Sequence, residues 1–130
     1  MKIQISTLDN TGDARGFAFT APTQALDFVG RIADIHFASA SPGTVRGNHY
    51  HLRKRQAVIL FPGPAWSLHW DEGEGTPVQC SSFDGSGAVM VLVSPGCSLA
   101  VRNDGDKPLW LATCSSKPYD PKDIVMRKVI

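Results

Sequence analysis

Two histidines, His49 and His51, are the residues of this 130-residue sequence whose types and spacing point most directly to chemistry. They lie two positions apart in a segment rich in strand-forming residues, and side chains two apart on a strand point to the same face. Because imidazole titrates near physiological pH, it can accept or donate a proton, and it also binds metal ions. The pair therefore predicts a site for proton transfer or, with further ligands, for a metal.

A second pair of ionisable residues, Asp34 and His36, alternates with Ala33, Ile35 and Phe37. This alternation predicts that Asp34 and His36 share one face of a strand and that the apolar set takes the other. The sequence does not decide which face is turned inward. If the polar face is, these two side chains join the two histidines in a cavity, a concentration of titratable groups that a packed core would avoid.

The strands needed to hold these residues appear as alternating or continuous apolar segments. Alternation covers residues 2–6, 31–37 and 66–70, and continuous apolar runs cover 57–61 and 88–93. Turns rich in Gly, Pro, Asn and Asp separate the segments at spacings typical of a sandwich or barrel, and residues 21–28 suggest one short helical turn. We therefore predict an all-β fold, an antiparallel jelly roll that forms one domain over residues 1–130.

Composition narrows the class of protein. A hydrophobic content of 42% with 19% charged residues is ordinary for a globular domain, and a net charge of +1 argues against a general nucleic-acid surface. The apolar runs are too short to span a bilayer, and the N-terminus lacks the apolar region of a secretory signal, so we expect a cytoplasmic protein. Cysteines 80, 97 and 114 match neither a zinc pair nor a disulfide framework, and we expect buried thiols.

The histidine segment resembles a known signature. The frame G-x5-H-x-H-x4-Q-x6-G, from Gly43 to Gly63, resembles the first motif of the cupin superfamily, with Gln56 in place of the usual glutamate. Residues 94–103 resemble the second motif, with Leu99 in the histidine position. The resemblance implies the cupin double-stranded β-helix, and the two replacements disfavour a metal site. The sequence has no G-x-G-x-x-G after a strand and no P-loop, so we expect no cofactor. A site in which His36 or His69 completes the ligand set remains an alternative.

The same region resembles two families of cupin isomerases. The run from Arg46 to His51, followed by Gln56, is similar to motifs of the dTDP-4-keto-6-deoxyglucose 3,4-ketoisomerases and the dTDP-4-dehydrorhamnose 3,5-epimerases. Residues 13–19 resemble the opening of the epimerases, and residues 109–123 resemble the end of the ketoisomerases. The lysine that the epimerases carry after the histidine motif is absent, because this chain has Ala57 and Val58 there.

The resemblance implies roles for seven residues. His49 would be the base and His51 would return the proton, while Gln56 would hydrogen-bond a histidine and determine its tautomer. The implied substrate contacts are Arg15 and Arg46, as cations for phosphate or enolate, and Asp34 and His36. The run Arg53-Lys54-Arg55 is predicted to be a solvated turn that adds positive potential at the mouth of the cavity.

From these features we predict a metal-independent sugar-nucleotide isomerase, either a 3,4-ketoisomerase or a 3,5-epimerase-like enzyme, acting on a nucleotide-linked 4-keto-6-deoxy sugar. We expect a homodimer joined through its N-terminal strand, because pairing satisfies an exposed strand edge and the resembling families are dimeric. Two alternatives stay open. One is a catalytically silent cupin that binds a small molecule, and the other is a metal-dependent cupin enzyme that uses His49 and His51.

Overall fold

A computed structural model describes residues 2–130, and its strands follow the alternation of apolar and polar side chains. In chain order the elements are β1 Ile3–Leu8, α1 Thr23–Val29, β2 Asp34–Ala40, β3 Val45–His51, β4 Gln56–Leu60, β5 Trp66–Trp70, β6 Gln79–Phe83, β7 Ala88–Val93, β8 Leu99–Asn103, β9 Leu109–Ser115, a 3₁₀ turn Pro121–Asp123, and β10 Ile124–Met126.

The strands form two antiparallel sheets that face each other. The first sheet has the order β1-β7-β4-β9-β2 and the second has the order β10-β3-β8-β5-β6. Apart from β5 and β6, which follow each other along the chain, neighbouring strands in each sheet are not consecutive in the sequence, so the sheets are held together by long-range contacts. This is the cupin jelly roll, and it confirms the predicted all-β class.

The main hydrophobic core lies between the sheets. Leu60 and Leu68 are fully buried there, and the Trp66 ring stacks on Phe83 with centroids 4.3 Å apart. A second cluster forms where α1 packs on the outer face of β4 and β7, through Val29 and Leu92 among others. Because β7 is covered on both faces, it is apolar at every position rather than at alternate ones.

The predicted elements differ from the observed ones mainly at their ends. Strand β7 has the predicted bounds, whereas β2 begins three residues later than predicted, because its pairing with β9 runs from Asp34 opposite Ser115 to Ala40 opposite Leu109. The predicted helical turn is the helix α1. Within residues 2–130, no helix has the length and apolarity needed to cross a membrane. Strand β1 lies at an edge of the first sheet, and the homodimer through this strand stays a prediction.

Candidate functional site

A cavity of about 570 Å³ lies between the two sheets, beside the hydrophobic core. Its polar side chains come from both walls and from the loops that close one end. The first sheet supplies Asp34, His36, Gln56, Thr113 and Ser115; the second supplies Arg46, His49 and His51; and Lys54 and Tyr119 come from loops. Apolar side chains such as Val58, Leu99 and Val101 complete the lining. A largely apolar hollow with a few convergent polar groups is typical of a small-molecule site.

A bulge in β3 determines which side chains face this cavity. The pairing of β3 with β8 shifts by one residue between Gly47 and His49, and the inserted residue, Asn48, has a φ of 61°. In a regular strand Arg46 would point away from His49, because the two are three positions apart. The extra residue reverses this parity, so Arg46 lines the cavity together with the histidines. Its Nε donates to the carbonyl of Ser39 at 2.5 Å.

The residue types at the bulge follow from its geometry. Gly47 has a φ of 115°, and a Cβ atom there would lie 2.3 Å from the carbonyl oxygen of Leu99. Asn48 tolerates the left-handed conformation better than most residues, and its Oδ1 accepts hydrogen bonds from the amides of Val129 and Ile130. The Gly-Asn pair therefore bends the strand and also holds the end of the chain.

His49 and His51 lie side by side on the cavity wall, as their spacing predicts. Their rings meet edge to face, with centroids 5.2 Å apart and an interplanar angle of 83°. His51 is buried, with 8% of its surface exposed, whereas His49 is partly exposed. The two imidazoles thus occupy different environments, which favours different roles.

Asp123 approaches the far side of His51. The carboxylate Oδ2 lies 3.5 Å from Nδ1 of the imidazole, and both side chains are less than a tenth exposed. This distance is long for a hydrogen bond, but neither Nδ1 nor the two carboxylate oxygens has another partner among residues 2–130. Because a carboxylate faces Nδ1, the neutral ring is favoured to carry its proton there, which leaves Nε2 as the proton acceptor.

The surroundings of His51 keep it neutral. Burial lowers its pKa to about 4, and the positive charges of Lys54 and His49 act in the same direction. Asp123 opposes the effect without cancelling it. At physiological pH the ring is therefore unprotonated and free to accept a proton.

An ion pair and a short strand pairing hold the C-terminal segment in place close to Asp123. Arg127 donates to both carboxylate oxygens of Asp71, at 2.6 and 2.8 Å, and its guanidinium lies 4.2 Å from the ring centroid of Tyr50. Strand β10 pairs with β3 so that Ile124 is opposite His51. The ion pair is largely buried, and it fixes the chain four residues after Asp123 to the residue that follows β5.

The polar face of β2 is the one that turns inward. Asp34 and His36 line the cavity on the wall opposite the histidines, whereas Ile35 and Phe37 point outward and are 52% and 70% exposed. Gln56 also lines the cavity, but its amide donates to Ser115 Oγ at 3.1 Å rather than to an imidazole. The tautomer-determining partner in the structure is therefore Asp123.

The predicted basic residues lie in different parts of the structure. Arg15 lies in the turn after β1, outside the cavity, where its side chain is 91% exposed and paired with Asp13 at 2.7 Å. Arg55 donates to the carbonyls of Phe28 and Val29 at the end of α1. Lys54, predicted to be solvated, is 5% exposed and lines the cavity. Of the predicted cations, Arg46 and Lys54 are the ones the fold brings to the site.

The side chains that could bind a metal ion are not grouped together among residues 2–130. His69 lies outside the cavity, where Nε2 is 3.0 Å from Ser67 Oγ and 3.7 Å from Cys80 Sγ. Among residues 2–130, no group of three or more His, Cys, Asp or Glu side chains is placed to hold a metal ion. His36 lines the same cavity as His49 and His51, but the three side chains are not grouped closely enough to hold a metal ion.

Several residues of the site were not assigned to it from the sequence, among them Asp123, Thr113, Ser115 and Tyr119. Asp123 lies in the segment that resembles the end of the ketoisomerases, but no local pattern indicates that it contacts His51, 72 positions away. The contact arises because β10 pairs with β3, which places Ile124 opposite His51. Lys54 lies in a run of three basic residues, and such a run normally indicates a solvated turn. The resemblance covers Asp123 without giving it a role. The run that contains Lys54 is predicted at the cavity mouth, but nothing in the sequence indicates that this lysine turns inward while Arg53 and Arg55 stay exposed.

Comparison with known proteins shows the fold. No protein-family model matches the sequence, and no curated protein matches it. Solved structures of similar fold include QdtA, a sugar 3,4-ketoisomerase from Thermoanaerobacterium thermosaccharolyticum in complex with TDP, with 14% identity, a TM-score of 0.73, and coverage of 95% of this chain and 87% of that chain.

Two epimerases have the same architecture. NovW, a 4-keto-6-deoxy sugar epimerase from Streptomyces spheroides, is 20% identical with a TM-score of 0.77, and the match covers 96% of this chain and 68% of that one. The RmlC epimerase of Mycobacterium tuberculosis is 19% identical with a TM-score of 0.75, at the same coverages. At these identities the likeness establishes the cupin fold, and the chemistry has to be argued from the site itself.

Proposed function

We propose that this protein is a sugar-nucleotide isomerase that acts on a nucleotide-linked 4-keto-6-deoxy sugar by proton transfer through histidine. The observation that carries the proposal is the buried His51–Asp123 pair, with His49 beside it, on the wall of a cavity of about 570 Å³. That volume suits one small-molecule ligand. Structures of similar fold include enzymes of 4-keto-6-deoxy sugars, and one of them is a complex with TDP.

The first chemical step is removal of a proton beside a ketone. The C4 carbonyl acidifies the hydrogen on C3, and Nε2 of His51 accepts that proton as the C3–H bond breaks. The electron pair forms a C3–C4 double bond, and the negative charge moves to the C4 oxygen. Asp123 stabilises the imidazolium that results, since its carboxylate faces Nδ1. This assignment gives the role of base to His51, whereas the resemblance implies His49 for it.

The second step decides the product. If a proton returns to C4 and the C3 hydroxyl passes its own proton to the negative C4 oxygen, the ketone moves to C3 and the reaction is a 3,4-ketoisomerisation. If a proton returns to C3 from the opposite face, the product is the C3 epimer. His49 is on the same wall as His51, and delivery from one wall suits transfer between adjacent carbons. We therefore place ketoisomerisation first and epimerisation second.

The nucleotide part is assigned to the cavity mouth. Arg46 lines the cavity while remaining exposed, and a guanidinium can bind two phosphate oxygens at once. Asp34 and His36, on the facing wall, are suited to hydrogen-bond sugar hydroxyls. The proposed reaction involves no electron transfer and is proposed to need no metal, so activity should survive exhaustive dialysis against a chelator.

The test is solvent exchange at the sugar. The protein is incubated in D₂O with dTDP-, UDP- and GDP-linked 4-keto-6-deoxyglucose, and proton NMR follows the C3–H signal and the product. We expect exchange and conversion with at least one nucleotide, and about 100-fold or greater loss in His51→Asn. His69→Asn is the matched control, because His69 lies outside the cavity, and it should retain the wild-type rate.

Three outcomes separate the hypotheses. Exchange that survives His51→Asn would contradict the assignment of the base. Nucleotide-dependent thermal stabilisation without any exchange would favour a silent ligand-binding cupin. Activity that appears only with added metal, and that chelators remove, would favour the metal-dependent alternative.

A further inference from the structure

Lys54 is the buried member of an otherwise exposed loop. The loop joins β3 to β4, and Arg53 and Arg55 on either side of Lys54 are exposed, as is Leu52 at 52%. Lys54 itself is 5% exposed, and the surface that remains lines the cavity. A lysine on a loop can usually extend into water, because its stem is long and flexible. Here the fold instead turns the side chain inward.

The protein does not neutralise this inward charge. None of the ion pairs or side-chain hydrogen bonds formed among residues 2–130 includes Lys54. An ammonium group donates three hydrogen bonds, and Lys54 Nζ, which is not among the fully buried polar atoms of residues 2–130, can offer them to the cavity. The buried carboxylate of Asp123 is paired with His51 and not with Lys54. A cation with open donors at a cavity wall is arranged for an anionic ligand group.

We infer that Lys54 is a catalytic residue, whose ammonium group binds the sugar oxygen that becomes negative when His51 removes the neighbouring proton. The inference rests on the proposed function and adds to it the cation that the enolate requires. In this step the C3–H bond breaks, the proton goes to His51 Nε2, and the electron pair ends on the carbonyl oxygen. Lys54 donates a hydrogen bond to that oxygen and releases it when carbon is reprotonated.

The position of Lys54 also couples it to the base. Its charge is among the causes that lower the pKa of His51, after burial. As negative charge develops on the oxygen that Lys54 holds, this repulsion is compensated, and His51 becomes a better proton acceptor at the moment it is needed. The other charged or titratable groups that face His51 are His49 and Asp123, and Asp34 and His36 stand on the opposite wall.

The experiment compares three variants. Lys54→Met removes the charge and keeps the volume of the side chain, and Lys54→Gln is a second neutral variant if the first folds poorly. Lys107→Met is the matched control, because Lys107 is exposed in the turn between β8 and β9, away from the cavity. We measure urea denaturation, the pKa of His51 by NMR, and kcat and KM on the substrate identified by solvent exchange.

We expect Lys54→Met to be about as stable as the wild type, since Lys54 forms no ion pair or side-chain hydrogen bond among residues 2–130 and methionine keeps the buried stem. We also expect the His51 pKa to rise, and kcat to fall about 100- to 1,000-fold with little change in KM. Lys107→Met should match the wild type in all three measurements. A merely structural lysine would instead give a large loss of stability and no specific effect on kcat.

The failure of this inference can be told apart from the failure of the proposed function. If the wild type turns over a sugar nucleotide and Lys54→Met keeps its kcat, the inference is wrong while the function stands. A rise in KM with kcat unchanged would assign Lys54 to ground-state binding, and this also overturns the inference. If the wild type exchanges no proton in any 4-keto sugar nucleotide, the proposed function is wrong, and the role of Lys54 falls with it.

Discussion

The depressed pKa of His51 predicts a specific loss of stability in mild acid. Burial, reinforced by the charges of Lys54 and His49, lowers the pKa from 6.5 to about 4 in the folded protein. In the unfolded chain the ring is solvated and keeps its ordinary value, so the unfolded state binds the proton first as the pH falls. The free energy of unfolding should therefore decrease between about pH 6.5 and pH 4, and His51 should have no such effect above that window.

The size of the effect follows from the difference in pKa. A shift of one unit corresponds to about 1.4 kcal/mol, so the full contribution of His51 is about 3 kcal/mol once the pH is below both values. At pH 5, where the unfolded ring is almost fully protonated and the folded ring is not, the loss is about 2 kcal/mol. This is a large fraction of the 5–15 kcal/mol that stabilises a typical domain.

The assay is urea denaturation, followed by circular dichroism, at several pH values between 7.5 and 4.5. His51→Leu removes the titrating group, so the stability of the wild type minus that of His51→Leu should fall by about 2 kcal/mol from pH 7.5 to pH 5. Acidic residues that titrate in the same range are common to both proteins and cancel. His69→Leu is the control, because burial also lowers the pKa of His69, but its side chain is only partly buried and its contribution should be smaller.

Parallel loss of stability in the wild type and in His51→Leu would refute this reasoning. It would mean that the folded protein accepts the proton on His51 as readily as the unfolded chain does. The conclusion that His51 is buried enough to stay neutral would then be wrong, and so would its proposed role as a neutral base. Direct titration of the His51 ring by NMR gives an independent measure of the same quantity.

Three further predictions concern the residues that shape the site. Asp123→Asn should reduce the exchange rate by at least about 100-fold and, by removing the group that raises the His51 pKa, should lower that pKa further in an NMR titration. Arg127→Met should destabilise the protein by about 3 kcal/mol in urea, because it leaves the buried Asp71 carboxylate unpaired, and a stability equal to the wild type would show that the ion pair is dispensable. Gly47→Ala should lower the free energy of unfolding by more than about 2 kcal/mol, since its Cβ would meet a backbone oxygen at 2.3 Å. Gly43 has a φ of +77° but open space around it, so Gly43→Ala should lower the free energy of unfolding by about 1 kcal/mol.

Local alternation made the fold class predictable from the sequence. The run Ala88–Val93 is a strand at its predicted bounds, and the inward pairing of His49 with His51 follows from their spacing of two. These features depend on the pleat of a strand, which repeats every two residues whatever the strand packs against. The sequence alone therefore determined an all-β chain with a paired-histidine face.

The assembly of the site depended on contacts between distant residues, which no local pattern contains. The bulge at Asn48 reverses the side-chain parity of β3 and brings Arg46 into the cavity. The pairing of β10 with β3 brings Asp123 to His51, and the loop between β3 and β4 folds Lys54 inward while Arg53 stays exposed. Alternation describes one strand at a time, whereas burial and pairing are decided by what the rest of the chain places opposite it. Only the tertiary structure therefore decided which ionisable groups share the cavity.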